Sequence, residues 1–208
     1  MKKNTAASSS LGKTTSYCSE YSPDLLFAIP RQEKREEIGL SSSLPFHGVD
    51  IWNAYEISWL SPKGKPCVAI AQITIPCDTT CLVESKSMKL YFNSFNQTKI
   101  SSHKEVERII SRDLSAATQG AVVVDLVAPG QFDTFNCGEI SGRCIDDLDI
   151  AIEEYTVEPE VLCSNAEEMV EETLYSNLLK SNCLVTGQPD WATVWIHYHG
   201  PRIDASSL

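Results

Sequence analysis

From Val49 onward, apolar and polar residues alternate regularly enough to assign secondary structure before anything else is considered. Tyr55, Ile57 and Trp59 alternate with Glu56 and Ser58, the period of a half-buried strand. Ser61-Pro62-Lys63-Gly64 reads as a hairpin turn, and Cys67 to Ile75, rich in β-branched residues, as the returning strand. The period then changes. Met88, Tyr91, Phe92 and Phe95 fall at i, i+3, i+4 and i+7, an apolar stripe on a helix over Lys86–Phe95, with Lys86, Lys89, Asn93 and Asn96 on the other side. Ser102-His103-Lys104-Glu105 is a capping box opening a second helix. Val106, Ile109, Ile110 and Leu114 form its buried face, and Gly120 can close it. Ala121 to Val127 reads as a strand, and Cys144 to Tyr155, where acids alternate with Ile150 and Ile152, as its partner.

Beyond an acidic link near Glu158–Glu168 the pattern begins again. Val170–Leu179 is assigned to a strand on context, and Trp191–Tyr198 alternates clearly. The order strand, strand, helix, helix, strand, strand predicts an α+β fold, an antiparallel sheet with helices on one face. Residues 1–43 are read as an N-terminal arm, 44–157 as a first module, and 158–208 as the start of a second, truncated one. The arm is polar, with Pro23 and Pro30, and is expected to wrap onto the core through Leu25-Leu26-Phe27. Its first residues, through Ser10, read as a disordered lead without the apolar stretch of a signal peptide.

Composition narrows the partners. A chain of 208 residues, 42% hydrophobic and 22% charged, is ordinary for a soluble protein of one large or two small domains. No apolar run approaches the ~20 residues of a membrane span. Net charge is −11, and acids dilute the one basic cluster, Arg31-Gln32-Glu33-Lys34-Arg35. Broad binding to a phosphate backbone is therefore disfavoured, and a small-molecule ligand fits better than nucleic acid or membrane. Eight cysteines without a secretion signal point to free thiols in a reducing cytoplasm. Cys77-x-x-x-Cys81 has metal-like spacing, but no second pair completes it, so no metal is expected. His197 and His199 share a strand face, either as exposed strand positions or as a metal pair. No glycine-rich dinucleotide fingerprint, phosphate-binding loop or serine elbow is present.

Two stretches carry chemistry. In Ser181–Trp191 a thiol, Cys183, and a carboxyl, Asp190, flank the turn Thr186-Gly187-Gln188-Pro189. They can face one small pocket, which suits nucleophilic addition to an electrophilic carbon with a proton supplied alongside. The plainer alternative is a buried structural cysteine and a turn aspartate. Glu84-Ser85-Lys86 opens the first helix, whose N-terminus can hold a phosphate with help from Lys86. Glu84, just outside the helix, can accept paired N–H bonds from a heterocycle. The alternative is that Ser85 caps the helix and the lysines solvate its polar face.

Leu44-Pro45-Phe46-His47-Gly48, Val83–Tyr91 with its Glu-Ser-Lys-Ser-x-Lys signature, and Ser181-Asn182-Cys183-Leu184-Val185 with Gln188-Pro189-Asp190-Trp191 together resemble the NADPH-dependent 7-cyano-7-deazaguanine reductases, in their long two-module form. The resemblance runs from about Leu11 to the C-terminus. It implies the tunnelling fold, a cytoplasmic homodimer, and reduction of the nitrile to the aminomethyl precursor of queuosine. Cys183 would add to the nitrile as nucleophile, forming a thioimide, and Asp190 would donate the proton, a role that needs burial to raise its pKa. Val83, Glu84 and Ser85 would touch the deazaguanine, Ser85 and Lys86 would contact NADPH, and two NADPH would each supply a hydride. The family's His-Glu pair and basic residues of the second module have no counterpart in these residues. This leaves an inactive fragment that binds ligand or partner as an alternative, beside a zinc hydrolase of the GTP cyclohydrolase type.

Overall fold

The computed structural model describes Thr5, Ser8 and residues 17–40, 43–136, 138–183 and 185–208. Most of the N-terminal lead, and Leu184 of the cysteine segment, lie outside these. The chain forms two compact units, Met1–Asn136 and Cys137–Leu208.

In the first unit, β2 (Val49–Leu60), β3 (Pro66–Pro76) and β5 (Val123–Val127) form an antiparallel sheet with β3 in the middle. Period-two alternation sends Ile57, Trp59, Ala69, Ala71, Ile73 and Ile75 to one face, where all are buried. The helical stripe meets them there. Met88, Tyr91 and Phe92 of α2 (Ser85–Asn93), Phe95 just beyond it, and Val106, Ile110 and Leu114 of α3 (His103–Thr118) complete one hydrophobic core. The result is an α+β unit with antiparallel strands, as expected. A β-bulge between Ala54 and Ile57 re-aims Tyr55 and Glu56 on the edge strand β2.

Helix α3 starts as predicted, with the Ser102 hydroxyl accepting the Glu105 N–H at 3.2 Å. Its end differs. Gln119, at φ 58°, takes the left-handed position, and the Gly120 N–H donates to the Ser115 carbonyl. Glycine is needed at 120 for another reason: a Cβ there would lie 2.4 Å from Thr79 Cγ2.

The described part of the arm is stitched to this core between Tyr21 and Arg31. Leu25 and Leu26 pack against it, and β1 (Ala28–Pro30) pairs antiparallel with β4 (Cys81–Val83). The short helix α1 (Gln32–Glu37) follows. The Tyr21 hydroxyl donates to Asp113 Oδ2 at 2.6 Å, beside the Tyr91 hydroxyl at 2.8 Å and the Arg112 Nε–H on Oδ1 at 2.9 Å. Burial first, then the Asp113 carboxylate, pushes the Tyr21 phenol up to about 12 and that of Tyr91 further still.

In the second unit, β7 (Ser164–Asn182) and β8 (Pro189–Ile203) form a long antiparallel hairpin, its ladder broken by two irregularities. Strand β7 begins inside the segment expected to be a link. The predicted strand over Cys144–Tyr155 is not formed. Only β6 (Arg143–Cys144) is strand, and it pairs in parallel with β7. The Asp146 carboxylate takes the Asn177 N–H where the ladder would have continued, and Ile150 and Ile152 remain exposed. Periodicity supplied the pattern but no edge to pair with. No helix among the described residues is long and apolar enough to cross a membrane. The seven described cysteines form no disulfide, and Cys137 lies outside the described residues.

Candidate active site

Strand β4 delivers the Glu-Ser-Lys motif to the start of α2. Val83 is 2% exposed and packed in the core, so it can offer a ligand only its backbone. Glu84, not Ser85, is the helix cap: its Oε1 accepts the Lys86 N–H and its Oε2 the Ser87 N–H, each at 2.8 Å. These are the N–H groups that a phosphate at the helix end would have used, so the expected backbone cradle is filled by the protein's own carboxylate. An ionised carboxylate has about four lone-pair directions. Two are occupied in Glu84, which is 5% exposed. Ser85 is exposed in the first turn and Lys86 is half-buried behind it.

Ser85 opens onto a groove of about 450 Å³ between the bulged stretch of β2 and α2, with Trp52, Tyr55, Met88, Phe92 and Asn93 in its walls. Lys89 Nζ bridges its rim to Glu56 Oε2 at 2.8 Å, which holds the Glu56 carboxyl below its usual range. The groove is apolar at its base with polar groups at one end, a form suited to a flat, partly polar molecule.

The thiol lies in the loop joining β7 and β8. The Cys183 N–H donates to the Gln188 carbonyl and the Gly187 N–H to the Cys183 carbonyl, both at 2.8 Å. Gly187 adopts φ 69°, which closes this tight loop without strain. The Cys183 thiol pKa is drawn below its ordinary value, first by the nearby Thr186 side chain and then by the backbone of Thr186 and Val185. Sequence reasoning named Cys183 and Asp190 and missed Thr186. Its only sequence signal was its place in the turn.

Strand register explains how the thiol and Asp190 meet. Asn182 lies opposite Pro189 and Ser181 opposite Asp190, so the ladder ends one residue before Cys183 and holds Asp190 at the mouth of its loop. The Asp190 charge acts on the thiol in the opposite direction to Thr186 and Val185. Asp190 is exposed within this unit. The burial expected for its proton-donor role is absent from the hairpin itself. The alternative of a buried structural cysteine does not match the structure, where Cys183 is half-buried.

The structure therefore brings Val83, Glu84, Ser85 and Lys86 together in the first unit, and Cys183 with Asp190 in the second. His197 Nδ1 lies 2.9 Å from Thr173 Oγ1, and its ring stacks on Trp195. Among the described residues no three His, Cys, Asp or Glu side chains converge as a metal site.

Comparison with known proteins gives this geometry a family. Residues 17–126, more than half of the chain, match the family described as nitrile reductase, 7-cyano-7-deazaguanine-reductase N-term. The chain belongs to the 7-cyano-7-deazaguanine reductase family. Its similarity extends past that region. An NADPH-dependent 7-cyano-7-deazaguanine reductase of Azoarcus sp. (strain BH72) is 54% identical over 204 residues, 98% of this chain and 72% of the relative. The protein of the same name from Cupriavidus metallidurans is 56% identical over 203 residues, 96% of this chain and 73% of the relative. That from Chromobacterium violaceum is 51% identical over 201 residues, 96% and 72% of the two chains.

Proposed function

We propose that this chain carries out the NADPH-dependent reduction of the nitrile of 7-cyano-7-deazaguanine to the aminomethyl group, the step that supplies the queuosine precursor. The observation that carries the reading is the Cys183 loop, closed by the Cys183–Gln188 and Gly187–Cys183 backbone bonds at the end of the ladder that holds Asp190, with Thr186 beside the sulfur favouring thiolate. A nitrile carbon is a modest electrophile and calls for such a sulfur.

In the mechanism, the Cys183 thiolate forms a bond to the nitrile carbon while one C–N π bond breaks, and Asp190 gives its proton to the nitrogen, leaving a thioimide on the protein. Two hydrides at that carbon, with one further proton, release the primary amine and regenerate the thiolate. NADPH, when bound, supplies the two hydrides, one from each of two molecules. Asp190 must hold its proton near neutral pH, so the reading has bound substrate or a second subunit cover the exposed hairpin end. Glu84 pairs with the polar edge of the heterocycle through its remaining lone pairs, beside Ser85 and the backbone of Val83. The Ser85 hydroxyl and the Lys86 ammonium would be the side chains that meet an anionic cofactor, and their chemistry fits a phosphate.

The same reading assigns 44–157 and 158–208 to successive tunnelling-fold modules preceded by the arm 1–43, in a cytoplasmic homodimer acting on the free base. The test is NADPH oxidation by the purified chain. Consumption that requires the nitrile and vanishes in Cys183→Ala is expected. Consumption that persists in that variant, or needs no nitrile, would overturn the assignment.

A further inference from the structure

The arm is fastened to both ends of α2 by the same device. Ser87 Oγ accepts the Phe27 N–H at 3.0 Å and donates to the Glu84 carbonyl at 2.7 Å. Seven residues on, two turns along the same helix face, Ser94 Oγ accepts the Ser22 N–H at 3.1 Å and donates to the Tyr91 carbonyl at 2.6 Å. The two serines are 1% and 0% exposed, so neither hydroxyl has water to replace a lost partner. Residues 22–27 of the arm thus run antiparallel to α2, from its end back to its beginning.

The two clasps differ in what they hold. Ser94 closes on the core, through Tyr91. Ser87 closes on Glu84, whose N–H donates to the Phe27 carbonyl at 2.9 Å. The arm residue Phe27 and the serine therefore grip the Glu84 backbone from both sides. Strand β4, which carries the motif, has the arm strand β1 as its only sheet partner among the described residues. Helix α2 holds Glu84 through its capped first turn, and the arm adds a second hold on the Glu84 backbone, with Ser87 as the joint.

We propose that Ser87 is a positioning residue: it couples the N-terminal arm to the Val83–Lys86 motif and holds Glu84 and Ser85 at the orientation in which they meet the substrate. This assigns a role to the second serine of the signature that differs from ligand contact, because its hydroxyl faces inward with both of its bonds made. The proposal rests on the reading of Glu84 and Ser85 as substrate contacts.

The experiment compares Ser87→Ala with Ser94→Ala in the full chain, two substitutions of equal chemistry and burial. Both should lower the melting temperature by similar amounts. Only Ser87→Ala should raise KM for 7-cyano-7-deazaguanine, by about tenfold, the scale of one lost buried hydrogen bond, with kcat for the folded fraction retained. A purely structural serine would leave KM unchanged, and a KM rise shared equally by both variants would also overturn the proposal. Amide hydrogen exchange supplies a second readout. Ser87→Ala should speed exchange at Phe27 and Glu84, while Ser94→Ala speeds it at Ser22 and not at Glu84. Unchanged Glu84 exchange in Ser87→Ala would refute the coupling. Exchange needs no turnover. A wild-type chain that fails to consume NADPH would thus overturn the proposed function, and the exchange pattern would still decide the role of Ser87.

Discussion

Glu84 is 5% exposed and has every polar group engaged: its N–H by Phe27, its carbonyl by Ser87 and Met88, and its carboxylate by the first turn of α2. Cys183 and Asp190 stand instead at a hairpin end where residues 185–193 are all exposed. In the first region, contacts from segments some sixty residues apart set the geometry. In the second, five residues of one loop set it. The motif is fixed by bonds to the arm and to α2, whereas the thiol takes its character from Thr186 and Val185 beside it and stands at an exposed hairpin end. Substitutions in the two regions should therefore separate. Those near the hairpin end alter chemistry with little effect on stability, and those in the first unit alter stability first.

The largest expected effect tests that separation at the hairpin. Asp190→Asn should slow amine formation by about 10²–10⁴-fold, the usual worth of a positioned proton donor. Adduct should still form but at the slowed rate, because Asp190 supplies the proton of that step, and the melting temperature should barely move, as expected of an exposed site. Amine production at the normal rate in single turnover would remove Asp190 from the mechanism. Gly120→Ala probes the other region. The added Cβ must displace Thr79 from the turn before β4. The cost should be about 1–3 kcal/mol, read as an earlier urea midpoint with unchanged activity per folded molecule. An unshifted midpoint would show that the turn gives way freely. The smallest effect is a change in pH dependence. The donors in the loop lower the Cys183 pKa, so thiolate forms at lower pH than in an ordinary thiol. Thr186→Val removes the largest of these contributions and should move the midpoint of iodoacetamide alkylation upward in pH. A profile that stays in place would assign the effect to the backbone donors alone.

Legibility in the sequence followed the range of the interactions. The β2–β3 hairpin, the α2 stripe and the Ser102 cap are local patterns, and each was readable from neighbours a few positions apart. The pairing of Cys183 with Asp190 across a turn was readable for the same reason. Glu84 as a cap was missed because serine is the commoner capping residue and stands next to it. The clasp of Ser87 on Phe27 joins positions sixty apart, and no period marks it. The acid–isoleucine alternation after Cys144 misled because alternation states which face a residue would take, not whether a neighbouring edge exists. The exposure of Asp190 was likewise invisible, since burial depends on what packs over a strand.

The central claim is that Cys183 is a nucleophile toward a nitrile, and intact mass tests it most directly. The purified chain would be incubated with 7-cyano-7-deazaguanine without NADPH, wild type beside Cys183→Ala. One added substrate mass on the wild type, absent from the variant, is the predicted result. An unchanged wild-type mass, or an adduct that persists in Cys183→Ala, would contradict the account.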